Sequence, residues 1–341
     1  MNKLLRFEFR RILLPLCVLT GIATLLFLAL VFYTDYVGYT QRPLLGGGFG
    51  LAEGPKNSMV WFPCVALCLL CTLAPALQFS YRMNKRGTDL WFSLPVRREK
   101  LLFARALGGL ALIFVPYTVS FWAGIAYIAT QPNYFDFALY AELYALSLPL
   151  GVCFYGVQSF LFTRANRVGD GVVFMLGWLL LLALPLIYLQ NHTTLYTEIG
   201  AENSLIYFTC GPLAITFAQF DKMLLEIVFT LPDCVAIAYP LAAAEGIAAW
   251  CGLFLLERRR KAENAGQTSD SPFGYRLFVP AYVAAIAAVD VLFILYVPAA
   301  VFGLVLLFVY RRSFRLHWQD LAVLAGALAI GIALGVVGNR L

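Results

Sequence analysis

Charged side chains are scarce in this sequence, and the common motifs of soluble enzymes are missing. Only 13% of the 341 residues are charged, and histidine occurs twice. The sequence has no G-x-x-x-x-G-K-[ST] loop, no H-E-x-x-H motif, no pair of C-x-x-C motifs and no G-x-S-x-G turn. These absences argue against a P-loop nucleotide site, a zinc hydrolase and a serine hydrolase. We therefore predict that the chain is not itself an enzyme and that it binds no metal or cofactor.

Long apolar runs make up most of the chain. Hydrophobic residues account for 61% of it, and the mean hydropathy is +0.79. A helix needs about 20 apolar residues to cross a bilayer, because no water in the hydrocarbon core can satisfy its backbone. We predict an all-α polytopic membrane protein whose core, residues 12–256, has six spans. These spans are residues 12–33, 59–80, 102–128, 138–162, 171–189 and 234–256.

The C-terminal region, residues 279–341, extends this core. Two full crossings need about 40 residues, whereas the apolar run 279–310 is shorter and contains Asp290 and Pro298. We predict a hairpin of two short helices there, either re-entrant or crossing twice. A last span near 321–338 follows, for about eight or nine membrane helices in all.

Basic residues are distributed unevenly between the two predicted sides. With the N-terminus in the cytoplasm, the inner segments hold all Lys and Arg residues except Arg42, Lys56, Lys222 and Arg340. Such asymmetry is typical of membrane orientation, so we predict a cytoplasmic N-terminus and no nucleic-acid partner. Residues 190–233 then form an outer segment, and residues 257–278 form a cytoplasmic basic segment.

Residues 1–11 carry basic residues at helical spacing. Lys3, Arg6 and Arg10 share one face, which predicts a short interfacial helix on the inner leaflet with its bases toward lipid phosphates. The alternative is that these charges only orient the first span.

Most of the eight cysteines fall inside apolar runs. Cys64, Cys68 and Cys71 recur at helical spacing within one span, and we interpret them as packing residues. Cys210 and Cys234 both fall near the predicted outer surface, and the sequence leaves open whether they pair.

The loop at residues 81–100 combines basic residues, turn formers and aromatic residues. Gly87 and the pair Thr88-Asp89 are typical of a helix end followed by a new N-cap. Apolar side chains in a cytoplasmic loop indicate either a protein-docking surface or an interfacial helix resting in the headgroups. The apolar residues are Leu90, Trp91, Phe92 and Leu94, and Pro95 ends the element.

One carboxylate stands near the middle of a predicted span. Glu245 follows Pro240 in the run AYPLAAAEGIAAW. Ionisable residues in spans often mark a transport path, so both residues are candidates for lining one. The alternative is a protonated or hydrogen-bonded carboxyl that only joins helices.

Three segments resemble the permease subunits of ABC-2 type transporters, the transmembrane subunits of bacterial ABC exporters. Residues 2–9, NKLLRFEF, precede the first span. Residues 88–97, TDLWFSLPVR, resemble the family's Asp-x-x-x-Ser-Leu-Pro-x-x-Arg segment, whose final Arg corresponds to Arg98. Residues 257–266, ERRRKAENAG, resemble its basic tail ending in Glu-x-x-Gly. The resemblance covers most of residues 1–270. The C-terminal hairpin and last span depart from a plain six-span core and resemble an extension seen in some such permeases.

The resemblance implies a permease in the bacterial cytoplasmic membrane that forms a homo- or heterodimer and binds a separate cytoplasmic ABC ATPase. ATP and Mg²⁺ would be bound by that partner, and the cargo would be an amphipathic compound such as an antimicrobial peptide, a drug or a lipid-like molecule. The loop after the second span would be the coupling element. Its residues would be Thr88, Asp89, Leu90, Trp91, Phe92, Ser93, Leu94 and Pro95, with Arg97 and Arg98 near the acidic rim of the ATPase.

Two other function classes remain open from the sequence. An ion-gradient-driven secondary transporter predicts several intramembrane acids and repeated broken helices, whereas this chain shows one central carboxylate. A non-transporting membrane sensor or scaffold predicts that the aromatic loop binds a partner without ATPase activity.

Overall fold

A computed structural model describes the following residues of the protein: 2–33, 40–43, 49–52, 61–84, 87, 91, 93, 96–130, 137–191, 215–216, 232–257, 264–267, 269, 271–289, 296–311 and 317–338.

Most of these residues lie in α-helices. Three long helices, α1 Asn2–Tyr33, α2 Trp61–Phe79 and α3 Arg98–Ala129, come first, and a 3-10 helix, Ser80–Met83, directly follows α2. The remaining helices are α4 Phe137–Arg164, α5 Val168–Asn191, α6 Pro232–Glu257, α7 Tyr275–Val289, α8 Tyr296–Arg311 and α9 Trp318–Gly338.

Six helical segments in the described part of the chain are long and apolar enough to cross a membrane. They are Leu4–Tyr33, Phe62–Met83, Arg98–Ala129, Tyr140–Arg164, Tyr239–Glu257 and Trp318–Val336. The predicted helical character is confirmed, and the length and composition of these segments support a multi-pass membrane protein. The number and direction of the crossings stay predictions.

The predicted spans correspond to helices. The spans 102–128 and 138–162 lie inside α3 and α4, and 171–189 and 234–256 lie inside α5 and α6. The first span is part of a longer helix, because α1 runs unbroken from residue 2 to residue 33. Residues 2–11 are therefore not a separate helix, and their position at a membrane interface stays a prediction.

The apolar run 279–310 contains two helices, α7 and α8, as predicted. Residues 290–295, with Asp290, lie outside the described residues. The two helices have 15 and 16 residues, fewer than the roughly 20 that a full crossing needs. Whether this region crosses twice or re-enters stays open.

A short antiparallel ribbon departs from the all-α prediction. Strand β1, Thr40–Pro43, pairs with β2, Phe49–Ala52, with Thr40 opposite Ala52 and Pro43 opposite Phe49. Four-residue strands carry too few positions for their alternation to stand out from sequence, so this ribbon was not predicted.

The chain divides into two compact units. The first unit comprises Met1–Gln78, Val96–Val157 and Pro212–Ala249. In it, α1 packs along α3. A Cβ at Gly124 would lie 2.0 Å from Cε1 of Phe27, so glycine is what allows this close approach. Cys64 and Cys71 are buried in this unit, which supports the packing interpretation, whereas Cys210 and the side chain of Cys234 lie outside the described residues.

The second unit comprises Phe79–Pro95, Gln158–Gly211 and Trp250–Leu341. In it, α7 packs against α5, α8 and α9. A Cβ at Gly331 of α9 would lie 2.5 Å from the carbonyl oxygen of Ala284, so these two helices approach closely. This unit also holds most of the predicted coupling segment, by which we mean residues 85–100 after the 3-10 helix, and the whole of the predicted basic segment, residues 257–278.

Candidate functional site

The described part of the predicted coupling segment folds back on the 3-10 helix. The rings of Tyr81 and Trp91 meet edge to face, with centroids 5.9 Å apart and planes at 64°. A Cβ at Gly87 would lie 2.9 Å from the carbonyl oxygen of Tyr81. Tyr81 therefore contacts both ends of the stretch 87–91, and Trp91 is half-buried rather than free in solvent.

The other predicted coupling residues divide into two groups. Ser93, Arg97 and Arg98 are exposed, and the carbonyl of Arg97 accepts bonds from the backbone N–H groups of Lys100 and Leu101 at the start of α3. The rest lie outside the described residues: Thr88, Asp89, Leu90, Phe92, Leu94 and Pro95.

A buried ion pair links the 3-10 helix to the end of α6. Arg82 donates to the carboxylate of Glu257, and their side chains are 0% and 2% exposed. A charge taken out of water needs a partner, since an unpaired one would carry a large desolvation penalty. Arg82 lies between α2 and the coupling segment, and Glu257 is the last residue of α6.

The next residue of the 3-10 helix contacts the start of α5. A Cβ at Gly171 would lie 2.7 Å from Cδ2 of Phe162 and 3.3 Å from Cε of Met83. Both Met83 and Phe162 are buried. The glycine therefore makes room for these two side chains.

The predicted basic segment is held against the connection between α4 and α5. Gly266 adopts a φ of 78°, a conformation that glycine tolerates best. Its N–H donates to the carbonyl of Asn166 at 2.9 Å, and its carbonyl accepts from Nε of Arg167 at 2.7 Å. The glycine that ends the basic-tail motif thus has a defined partner.

Asp170 accepts two further bonds from the same segment. The hydroxyl of Ser269 donates to Oδ2 at 2.6 Å and accepts from the N–H of Asn166 at 2.9 Å. The Tyr275 hydroxyl, which precedes the run 279–310, donates to Oδ1 at 3.2 Å. Burial, and then the Asp170 carboxylate, raises the pKa of Tyr275 to about 12, so this phenol stays a donor. Asp170 also lies in the first turn of α5, where a negative charge is favourable.

An aromatic contact fixes the segment once more. The ring of Phe273 meets that of Phe160 edge to face, with centroids 5.2 Å apart. The backbone carbonyl of Phe273 accepts a hydrogen bond from Nε1 of Trp178 at 2.9 Å. Ser269, Phe273 and Tyr275 therefore attach this segment to α4 and α5.

Glu245 and Pro240, the candidates for a translocation path, lie on α6 in the first unit. Pro240 is exposed and Glu245 is half-buried. A Cβ at the adjacent Gly246 would lie 2.6 Å from Cβ of Cys153, so α6 approaches α4 closely at this level. This geometry suits both a polar lining and a helix-joining carboxyl.

A second buried ion pair lies in the first unit. Glu8 and Arg105 are each 1% exposed, with Oε1 of Glu8 3.4 Å from Nη2 of Arg105. Arg11 lies 3.2 Å from the same carboxylate and donates to Oε1 of Gln78 at 2.8 Å. Nη1 of Arg105 donates to the backbone carbonyl of Gln78 at 3.0 Å. This cluster joins α1, α2 and α3.

Sequence reasoning missed both pairs. Glu8 and Glu257 were noted only as parts of motifs, and Arg82 and Arg105 only as bases that orient the chain. The available signal was that each carboxylate stands alone among arginines beside a predicted span.

The comparisons add no relative. No protein-family model, curated protein or solved structure matches this chain. Within the described part, no group of three or more His, Cys, Asp or Glu residues is placed to hold a metal ion.

Proposed function

We propose that this chain is the transmembrane permease subunit of an ABC-2 type exporter in a bacterial cytoplasmic membrane. The observation that carries the proposal is the connection of the coupling segment to the helices. Trp91 packs on Tyr81. Arg82, which follows Tyr81 in the chain, is paired with Glu257 at the end of α6. An aromatic segment fixed to helix ends in this way can act as a lever.

The exposed charges of the segment suit docking to an acidic partner. Arg97 and Arg98 are exposed at the start of α3, and Trp91 precedes them in the sequence. Exposed cations steer a negatively charged surface toward the segment, while partly buried aromatics supply contact area. The partner would be the cytoplasmic ATPase, which supplies ATP hydrolysis.

The mechanism then follows from the attachments. A partner that binds nucleotide more tightly in one state shifts the permease between inward-open and outward-open states. This chain's residues would carry the displacement from Trp91 through Tyr81 and Arg82 to α6. Glu245 and Pro240 on α6 would line the path of an amphipathic cargo, with a second permease subunit opposite and lipid around.

The test is co-purification of the tagged full-length chain with the products of its neighbouring genes in mild detergent. We expect a P-loop ATPase to be retained by the native chain and lost from Leu94→Asp. Val168→Asp is the matched control, since it adds the same charge at an exposed apolar position at the start of α5, outside the coupling segment. Absence of an ATPase, or equal retention by Leu94→Asp, would contradict the proposal and favour a gradient-driven carrier or a scaffold.

A further inference from the structure

The 3-10 helix Ser80–Met83 makes three different contacts from three consecutive residues. A 3-10 helix has three residues per turn, so neighbouring side chains point in three directions. Tyr81 faces Trp91, Arg82 faces Glu257, and Met83 lies against the space at Gly171. Four residues thus connect the coupling segment, α6 and α5.

Among these contacts, the ion pair is the most demanding in geometry. A buried pair gives little net stability over an apolar pair of similar volume, because desolvation offsets the attraction. It does penalise every arrangement in which the two charges separate. The Arg82–Glu257 pair therefore selects one position of the 3-10 helix relative to the end of α6.

The position of Glu257 is set by α6 as well as by its pairing with Arg82. Glu257 ends α6, and the chain that follows is attached at Gly266, Ser269 and Phe273 to the region around Asn166 and Trp178. Because Glu257 belongs to the last turn of α6, its carboxylate can follow Arg82 only as far as its own side chain and that turn allow. Displacement of Arg82 must then move the end of α6 or break the pair.

We propose that Arg82 and Glu257 are positioning residues that set the rest position of the coupling segment and transmit its displacement to α6. The transmission role rests on the proposed function. The positioning role concerns this chain alone and is tested without any partner.

The first experiment is limited trypsin cleavage of the full-length chain in lipid nanodiscs. The coupling segment offers five sites, at Lys85, Arg86, Arg97, Arg98 and Lys100. Cleavage follows the population of opened chain when reclosing is fast. We expect Glu257→Gln and Arg82→Gln to raise cleavage within 85–100 by about tenfold, because releasing the pair frees the segment. Glu142→Gln, which removes an exposed carboxylate on α4 outside the cleaved stretch, should leave the rate unchanged.

The charge-swapped variant separates positioning from general destabilisation. Arg82→Glu with Glu257→Arg should return cleavage to within about threefold of the native rate, since the pair is rebuilt with opposite polarity. If the single variants do not fold, Arg82→Met with Glu257→Leu keeps buried volume without charge. Native-like cleavage in Glu257→Gln, or in this apolar pair, would overturn the inference.

The second experiment uses the complex with its co-purified ATPase. We expect Glu257→Gln to retain the ATPase but to reduce the permease-dependent stimulation of ATP hydrolysis by about fivefold, and the swap to recover it. Full stimulation with a broken pair would overturn the transmission role. If cleavage responds as expected but no ATPase binds the native chain, the positioning role stands and the proposed function fails.

Discussion

The two buried arginine–glutamate pairs have different surroundings. Glu8 and Arg105 sit between long helices, and Arg11 and Gln78 complete their cluster. Arg82 and Glu257 join a four-residue 3-10 helix to a helix end, beside an anchored segment and an aromatic contact. The first pair lies in the interface between α1 and α3. The second pair attaches the 3-10 helix, which follows α2 in the chain, to the end of α6. The same chemistry thus supports packing in one unit and positioning in the other.

The largest expected effect is on the first pair. Glu8→Gln leaves Arg105 buried without its counter-charge and close to a second arginine. Breaking a buried pair typically costs about 3–5 kcal/mol, and repulsion between the two cations places this variant at the upper end. Thermal unfolding in detergent measures the loss, with Glu142→Gln on α4 as an exposed control. A native unfolding midpoint in Glu8→Gln would contradict the burial of this pair.

Glu257→Gln should destabilise less, by about 3 kcal/mol, because it leaves a single arginine beside a short 3-10 helix that can readjust. The comparison with Glu8→Gln is made in the same unfolding assay. The swap of Arg82 and Glu257 should recover most of the loss. A swap no better than the single change would show that the surroundings, and not the pair, set the stability.

Asp170→Asn tests the anchor of the basic segment. The amide keeps one acceptor and loses the charge that the Ser269 and Tyr275 hydroxyls bind, for a loss of about 1–3 kcal/mol. Trypsin cleavage in residues 258–261 should rise with it. Tyr275→Phe is the matched control, since it removes one donor and leaves the carboxylate with Ser269. An equal effect of both variants would contradict the central place of Asp170.

The smallest effect on stability is expected for Arg97→Gln with Arg98→Gln. Both side chains are exposed, so the unfolding midpoint should not change measurably. Retention of the ATPase should fall, and the difference from the native chain should shrink at high salt, where surface charges are screened. Salt-independent retention, equal to that of the native chain, would remove these arginines from the docking surface.

Much of the fold was accessible from the sequence because a bilayer permits few alternatives. The apolar runs predicted helices that the structure contains, and the interruption of residues 279–310 predicted two helices there. The continuous α1 was misjudged, because the change from basic to apolar residues at position 11 marks a change of surroundings and not a helix end. The ribbon of β1 and β2 was not predicted because its strands are too short for a periodic signal in the sequence.

The candidate functional site could be predicted from the sequence only in part. The motif 88–97 drew attention to the coupling segment, and its apolar residues indicated a packed or docked surface. Nothing in the spacing of Arg82 and Glu257, 175 residues apart, predicts that they meet. The same holds for Gly266 with Asn166, whose sequence neighbourhood indicates a turn but no partner.

The sequence by itself determined the helical, membrane-like character of the chain, since hydropathy and segment length are local properties that the solvent reads directly. It also determined where charge is concentrated. Only the tertiary structure decided which arginine meets which carboxylate, because that choice depends on the packing of helices distant in sequence. Desolvation then makes the choice matter, as a buried charge without its partner is far more costly than an exposed one.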